Sequence, residues 1–248
     1  MKGKRLCYLV VLHVLALLSA PVFAKDASTS TADALYCNNL PFVYNNFRTT
    51  AYGPAGADIM TSQENMLPCS GGSYALCYYS GPAPMPCKVD KEKNVAICQC
   101  YGYESEARSY KYFVDINAIL NTCVYIETVR TCGHGGSQCA SENSAPVCQY
   151  ISQTPQTFMP QADLISTFSL AKVPDYGPPG CTPCNGLYAG CMTAPCHKQQ
   201  NEKGETVVLC ECPLYNGPYQ VGQNNVQCGL GDGLVWSAAY NTNGCPAK

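Results

Sequence analysis

Residues 184–212 read CNGLYAGCMTAPCHKQQNEKGETVVLCEC, and residues 69–100 read CSGGSYALCYYSGPAPMPCKVDKEKNVAICQC. Both run through Cys, Gly, a Tyr-Ala pair, Cys, Pro-Cys and a polar charged stretch to an apolar run that ends in Cys-x-Cys. The matched cysteines Cys69/Cys184, Cys77/Cys191, Cys87/Cys196, Cys98/Cys210 and Cys100/Cys212 lie 115, 114, 109, 112 and 112 residues apart. Cys37 and Cys148, 111 residues apart, extend the match towards the N-terminal side. A near-constant offset of this kind marks an internal repeat.

Side-chain parity gives the repeat a local structure. Val95 and Ile97 share one parity, and Ala96, Cys98 and Cys100 the other. In a strand, alternate side chains point to opposite faces, so both cysteines fall on one face. Val207 and Leu209 against Cys210 and Cys212 repeat the arrangement. The polar stretches 89–94 and 199–205, the second with Gly204, suit the tips of hairpins whose first strands start at the Pro-Cys pairs. A lone hairpin is marginal in water, so the cysteines are expected to staple it to neighbouring loops. The fold expected is mainly β and disulfide-rich, with two related stapled β-hairpin units and minor helix.

The N-terminus carries Lys2, Lys4 and Arg5, then an apolar run, then the small-residue site Val22-Phe23-Ala24. That is the layout of a secretory signal peptide covering residues 1–24. The run is too short to span a bilayer, so no membrane span is expected in the mature chain. Removing 24 residues from 248 leaves 224. Removing three basic residues takes the balance from 15 against 17 acidic to 12 against 17, a net charge of −5. Such a chain suits neither nucleic acid nor anionic membrane, which require neutralising cations.

Without Cys7, 18 of the 19 cysteines remain, an even number. In an exported chain so rich in cysteine, disulfides are the expected state of all of them: Cys37, Cys69, Cys77, Cys87, Cys98, Cys100, Cys123, Cys132, Cys139, Cys148, Cys181, Cys184, Cys191, Cys196, Cys210, Cys212, Cys228 and Cys245. The location is secreted or periplasmic. Eighteen cysteines allow roughly 3 × 10⁷ pairings, so connectivity is not legible. One constraint is. Residues 37–139, the first cysteine-rich repeat, and 148–245, the second, hold nine cysteines each. An odd number cannot close internally, so at least one bridge crosses between them.

Residues 25–36 are small and polar, a flexible N-terminus. LPFVYNNF, residues 40–47, is a strand candidate. The segment 111–130 (KYFVDINAILNTCVYIETVR) is expected to be a short helix passing into a strand, because Ile116, Ile119, Leu120, Cys123 and Val124 have helical spacing while the β-branched content, and Tyr125 to Val129, suit a strand. ADLISTFSLAK, residues 162–172, is a second expected helix. GLGDGLVWSAAYNTNGC, residues 229–245, reads as a glycine loop, a strand with Trp236, and a tail stapled by Cys245.

Several patterns touch on chemistry. Cys181-Thr182-Pro183-Cys184 resembles the redox motif of thioredoxin-like oxidoreductases, whose low-pKa thiolate opens a helix. Here the glycine-rich NGLYAGC follows and no βαβ pattern surrounds it, which favours structural disulfides. A zinc site drawn from Cys-x-x-Cys, Cys-x-Cys and Cys196-His197 needs thiolates that export oxidises, so no metal and no cofactor are expected. A small secreted hydrolase would rest on His134, in the loop CGHGGS, or on His197, or on carboxylates such as Asp163 with Glu127 or Asp232. No G-x-S-x-G elbow accompanies them.

Tyrosine is the conspicuous residue, 17 after loss of Tyr8 from the total of 18. It suits contact surfaces because it is amphipathic and loses little side-chain entropy. The matched pairs Tyr74/Tyr188 and Tyr103/Tyr215 read as packing. The unmatched Tyr78, Tyr79 and Tyr219 are the contact candidates. The expected function is a binding or adhesion protein that meets an extracellular protein or glycan through loop aromatics. The alternatives are the hydrolase and a protease inhibitor that presents residues 78–86.

Overall fold

A computed structural model describes residues 66–77, 86–103, 111–139, 141–153, 159, 162–168, 181–240 and 245. In chain order the strands are β1 Met66–Ser70, β2 Tyr74–Leu76, β3 Cys87–Asp90, β4 Val95–Tyr103 and β5 Lys111–Asp115. Helices α1 Thr122–Cys132 and α2 Pro146–Gln153 follow, then β6 Leu164–Thr167, β7 Thr182–Ala189, β8 Pro195–Gln200, β9 Thr206–Val221, β10 Leu234–Val235 and β11 Ala239–Tyr240. The fold is mainly β and disulfide-rich.

The two hairpins form where the sequence places them, and by one device. Asp90 Oδ1 accepts the backbone N–H of Glu92 and of Lys93, at 3.0 and 3.1 Å, which folds the chain from β3 into β4. Asn201 Oδ1 accepts those of Lys203 and Glu205, at 2.9 Å each, between β8 and β9. A short side chain that bonds its own downstream backbone is what makes Asp and Asn turn formers. Each turn also needs one residue at positive φ, Asn94 at 55° and Gly204 at 77°.

One nine-stranded sheet carries both cysteine-rich segments. β4 and β9 run antiparallel, with Cys98 opposite Cys210 and Ala96 opposite Cys212. β9 also pairs with β8, β7 and β11, so four strands add to it. The pairings β4–β2, β2–β6, β6–β8, β8–β9 and β9–β4 close a circuit. β1 and β5 form a separate pair beside it. The two segments therefore share a sheet and a core.

Parity holds along β4 and β9. Cys98, Cys100, Cys210 and Cys212 are buried while Gln99 between them is exposed. Between described residues, eight bridges join sixteen cysteines: Cys69–Cys148, Cys77–Cys100, Cys87–Cys98, Cys132–Cys139, Cys181–Cys245, Cys184–Cys228, Cys191–Cys212 and Cys196–Cys210. Cys123 is disulfide-bonded as well, and Cys37 lies outside the described residues. Cys69–Cys148 is the crossing bridge that the odd count demanded. Cys77–Cys100 and Cys87–Cys98 join the same aligned positions as Cys191–Cys212 and Cys196–Cys210.

Three expectations are corrected. Segment 111–130 has its elements in the reverse order, strand β5 first and helix α1 second. Asn121 decides this: its Oδ1 accepts the Val124 N–H at 3.0 Å and caps the helix. That bond satisfies one of the otherwise orphaned first-turn donors. Val124, Thr128 and Cys132, four apart, form the buried stripe, which overrides the β-branched content. Residues 162–172 give strand β6, not a helix, over their described part. All four of its residues are buried, and β2 and β8 pair with its two edges. Continuous burial of a strand mimics helical spacing over so short a run. In the C-terminal segment Trp236 follows β10 and is buried, with its Nε1–H donating to Gln227 O at 2.8 Å. The strand candidate at 40–47 lies outside the described residues.

Eight disulfides require an oxidising compartment, and the protein is one of that kind. Among the described residues no helix is long and apolar enough to cross a membrane.

Candidate functional site

Of the three tyrosines singled out as contact candidates, Tyr78 and Tyr79 lie outside the described residues. Tyr219 is described, and it is 2% exposed. Its ring stacks on Tyr188 at 5.0 Å, and its hydroxyl donates to Cys228 O at 3.1 Å. It is a core residue and offers no contact face.

Among the described residues, buried and half-buried tyrosines form two sets of three. Tyr74 opposes Tyr103 across β2 and β4, with ring centroids 5.2 Å apart, and Tyr112 from β5 adds a third ring at 4.9 Å. Tyr188 opposes Tyr215 across β7 and β9 at 5.8 Å, and Tyr219 is the third ring. Offset and tilted pairs at this distance are favourable for aromatic quadrupoles. Burial pushes the Tyr112 phenol well above its usual value, with Tyr74 adding to the effect; burial does the same to Tyr188, helped by Tyr215 and Tyr240.

The motifs read for chemistry resolve into structure. Cys181 and Cys184 are not bonded to each other; both flank or lie on strand β7 and bridge to Cys245 and Cys228. The sulfurs of Cys77, Cys191 and Cys212, and those of Cys77, Cys100 and Cys210, lie within 4.8 Å of one another. All are bridged, so they offer no thiolate to a metal. His134 is exposed in the loop closed by Cys132–Cys139, and His197 is half-buried on β8 opposite Leu209. Asp163 accepts the Lys198 N–H at 2.8 Å, and Glu127 accepts the Tyr150 hydroxyl at 2.8 Å, so each carboxylate serves a local bond.

What the described residues place together is a pair of anchors. Cys77 bonds Cys100 and Cys87 bonds Cys98, with Cα atoms 4.6 and 4.3 Å apart. Cys98 and Cys100 are neighbours on one face of β4, so both ends of the connection 78–86 are pinned to a single strand. The corresponding anchors Cys191 and Cys196 are pinned to β9 in the same way. There the connection is four residues long, against nine in 78–86, and Thr193, Ala194 and Pro195 are buried. Thr193 has φ 58°, unusual for a β-branched residue. Its hydroxyl donates to Ala118 O at 2.7 Å and accepts the Leu120 N–H at 2.9 Å, which holds it there. The second connection is part of the core, and the first has five residues more.

No family model, curated protein or solved structure matches this chain.

With Tyr219 in the core, the aromatic contact candidates reduce to Tyr78 and Tyr79 on the longer connection. Sequence reading had no means of finding Thr193, whose role depends on a backbone conformation that its residue type disfavours.

Proposed function

We propose that this is an exported, disulfide-stabilised binding protein that presents residues 78–86, with Tyr78 and Tyr79, to an extracellular protein or glycan. The observation that carries the reading is the double anchor: two bridges fix both ends of this connection to adjacent positions of β4. Fixing the ends of a binding segment in advance reduces the ordering cost on association. Tyrosines on such a segment supply contact area with few rotatable bonds. The signal-peptide layout of residues 1–24 and the need for an oxidising compartment agree with export. The duplicated arrangement of bridges supports two related units, one of which carries the longer connection.

The test is retention on immobilised extracellular proteins and on a glycan array by the wild type, by Y78A/Y79A and by H134A/H197A. The expected result is retention that Y78A/Y79A abolishes and H134A/H197A leaves intact. Equal retention by all three would refute the role of the tyrosines, and retention by none would refute the binding reading.

The same double anchor favours one second reading, a protease inhibitor, since such loops are held rigid at both ends. Undiminished activity of a panel of secreted proteases at molar excess of this protein rules that out.

A further inference from the structure

Four bridges meet in the interior of the sheet, and their sulfurs are neighbours across bridges as well as within them. Cys98 Sγ lies 3.5 Å from Cys191 Sγ, although the two belong to different disulfides. Cys191 and Cys77 fall in one group of sulfurs within 4.8 Å, and Cys77 and Cys210 in another. The order Cys98, Cys191, Cys77, Cys210 is thus a continuous row, with one sulfur from each of the bridges Cys87–Cys98, Cys191–Cys212, Cys77–Cys100 and Cys196–Cys210. The row follows from the pairing of β4 with β9. Cys98 faces Cys210, its own counterpart in the sequence repeat, so each segment brings its two bridges up to those of the other.

We infer that these four bridges form an exchange-coupled set, in which two-electron reduction of one bridge by a dithiol moves a bond between the two cysteine-rich segments. One thiolate of the dithiol attacks Cys87 Sγ, the Cys87–Cys98 bond breaks, and Cys98 leaves as a thiolate. The second thiol of the reductant closes on the first sulfur, which frees Cys87 and yields the oxidised cyclic dithiol. The Cys98 thiolate then attacks Cys191 Sγ, 3.5 Å away; the Cys98–Cys191 bond forms, the Cys191–Cys212 bond breaks, and Cys212 leaves as a thiolate, protonated by solvent. Two disulfides and a dithiol become one disulfide, one oxidised dithiol and two protein thiols. The product bridge joins β4 to the turn that precedes β8, a link between segments that the starting pair lacked.

Access is governed at one strand. Cys87 is buried, and it pairs with Val235 of β10, a strand of two residues. Opening of that short ladder is the step that admits the reductant, because strand ends and short edges open at lower cost than the sheet interior.

The experiment uses the full oxidised protein carrying C87S/C212S, which leaves Cys98 and Cys191 without their native partners. The expected product has no alkylatable thiol, a mass about 2 Da below that of the dithiol form, and a Cys98–Cys191 cross-linked peptide on non-reducing digestion. A second variant, C100S/C196S, leaves Cys77 and Cys210, and their bond is expected likewise. Two alkylated cysteines in a folded variant, or bonds to other partners, would overturn the inference. Should both variants fail to fold, wild-type protein is exposed briefly to dithiothreitol, quenched in acid and alkylated. Recovery of Cys98–Cys191 with Cys87 and Cys212 both alkylated supports the exchange. Partly reduced protein that retains only native pairs refutes it.

Discussion

The bridge Cys69–Cys148 spans 79 residues of sequence, and Cys132–Cys139 spans 7. Removing each by paired Cys→Ala substitution separates what a long closure contributes from what a short one does. In the unfolded chain the path from Cys69 to Cys148 is shortened by Cys77–Cys100 and Cys132–Cys139, which stay intact. The effective loop is then about 50 residues, and the chain-entropy relation assigns it about 4 kcal/mol, against about 2.5 kcal/mol for the short loop. Both pairs are buried, so each double substitution also empties volume, and that cost largely cancels in the comparison. The expected ranking is therefore C69A/C148A less stable than C132A/C139A by about 1.5 kcal/mol. Urea unfolding without reductant, followed by fluorescence of the single tryptophan, Trp236, measures both; it is buried and reports the fold directly. The m-value of C69A/C148A should rise too, since the unfolded chain expands once the cross-segment link is gone. Equal losses, or a larger loss from the short bridge, would refute the argument that loop closure sets the difference.

Three further outcomes are expected. T193A removes a hydroxyl that bonds Ala118 O and Leu120 N–H in a buried setting, so urea unfolding should show a loss of about 1–3 kcal/mol; a neutral result would mean that water replaces it. Y219F deletes only the hydroxyl bond to Cys228 O and should cost about 1 kcal/mol, with binding by the protein unchanged; a loss of binding without loss of stability would return Tyr219 to the contact surface. Alkaline pH should destabilise the fold, because Tyr112 and Tyr188 are raised by burial and Tyr150 is raised from 10.0 to about 12, first by burial and then by Glu127. Their unfolded counterparts ionise near pH 10, so the stability present below that value declines as the pH rises, until about pH 12 for Tyr150. Absorbance at 295 nm and the urea midpoint follow this, and a midpoint flat from pH 10 to 12 would contradict it.

The sequence made the hairpins legible through parity, since Cys-x-Cys on one face and aliphatics on the other is a pattern that strands alone satisfy. It made Cys69–Cys148 legible only as a necessity of counting, without naming the partners. Helix α1 was hidden because its signal is one residue, Asn121, set against a β-branched run; the cap and the buried stripe at four-residue spacing outweighed propensity. β6 was hidden because a strand buried on both faces has no alternation to read. Tyr219 misled for a different reason. It has no counterpart in the earlier copy, which suggested freedom from packing. The third ring of each tyrosine set in fact comes from a different strand, Tyr112 on β5 and Tyr219 on β9, so equivalent packing was reached without equivalent positions.

The position of β9 has a consequence for the growing chain. β4 is complete at Tyr103, yet the strand it pairs with, through Cys98 opposite Cys210, emerges more than a hundred residues later. Until then β3 ladders one edge of β4, the edge of Val95–Cys100 that β9 will cover has no partner, and Cys69 waits for Cys148. Synthesis therefore passes through a long interval in which an apolar, half-paired edge and several thiols coexist, the state most prone to wrong pairing between molecules. A cell that makes this protein in quantity must shield that nascent intermediate and correct its first bridges, so its yield will follow the supply of chaperone and disulfide isomerase.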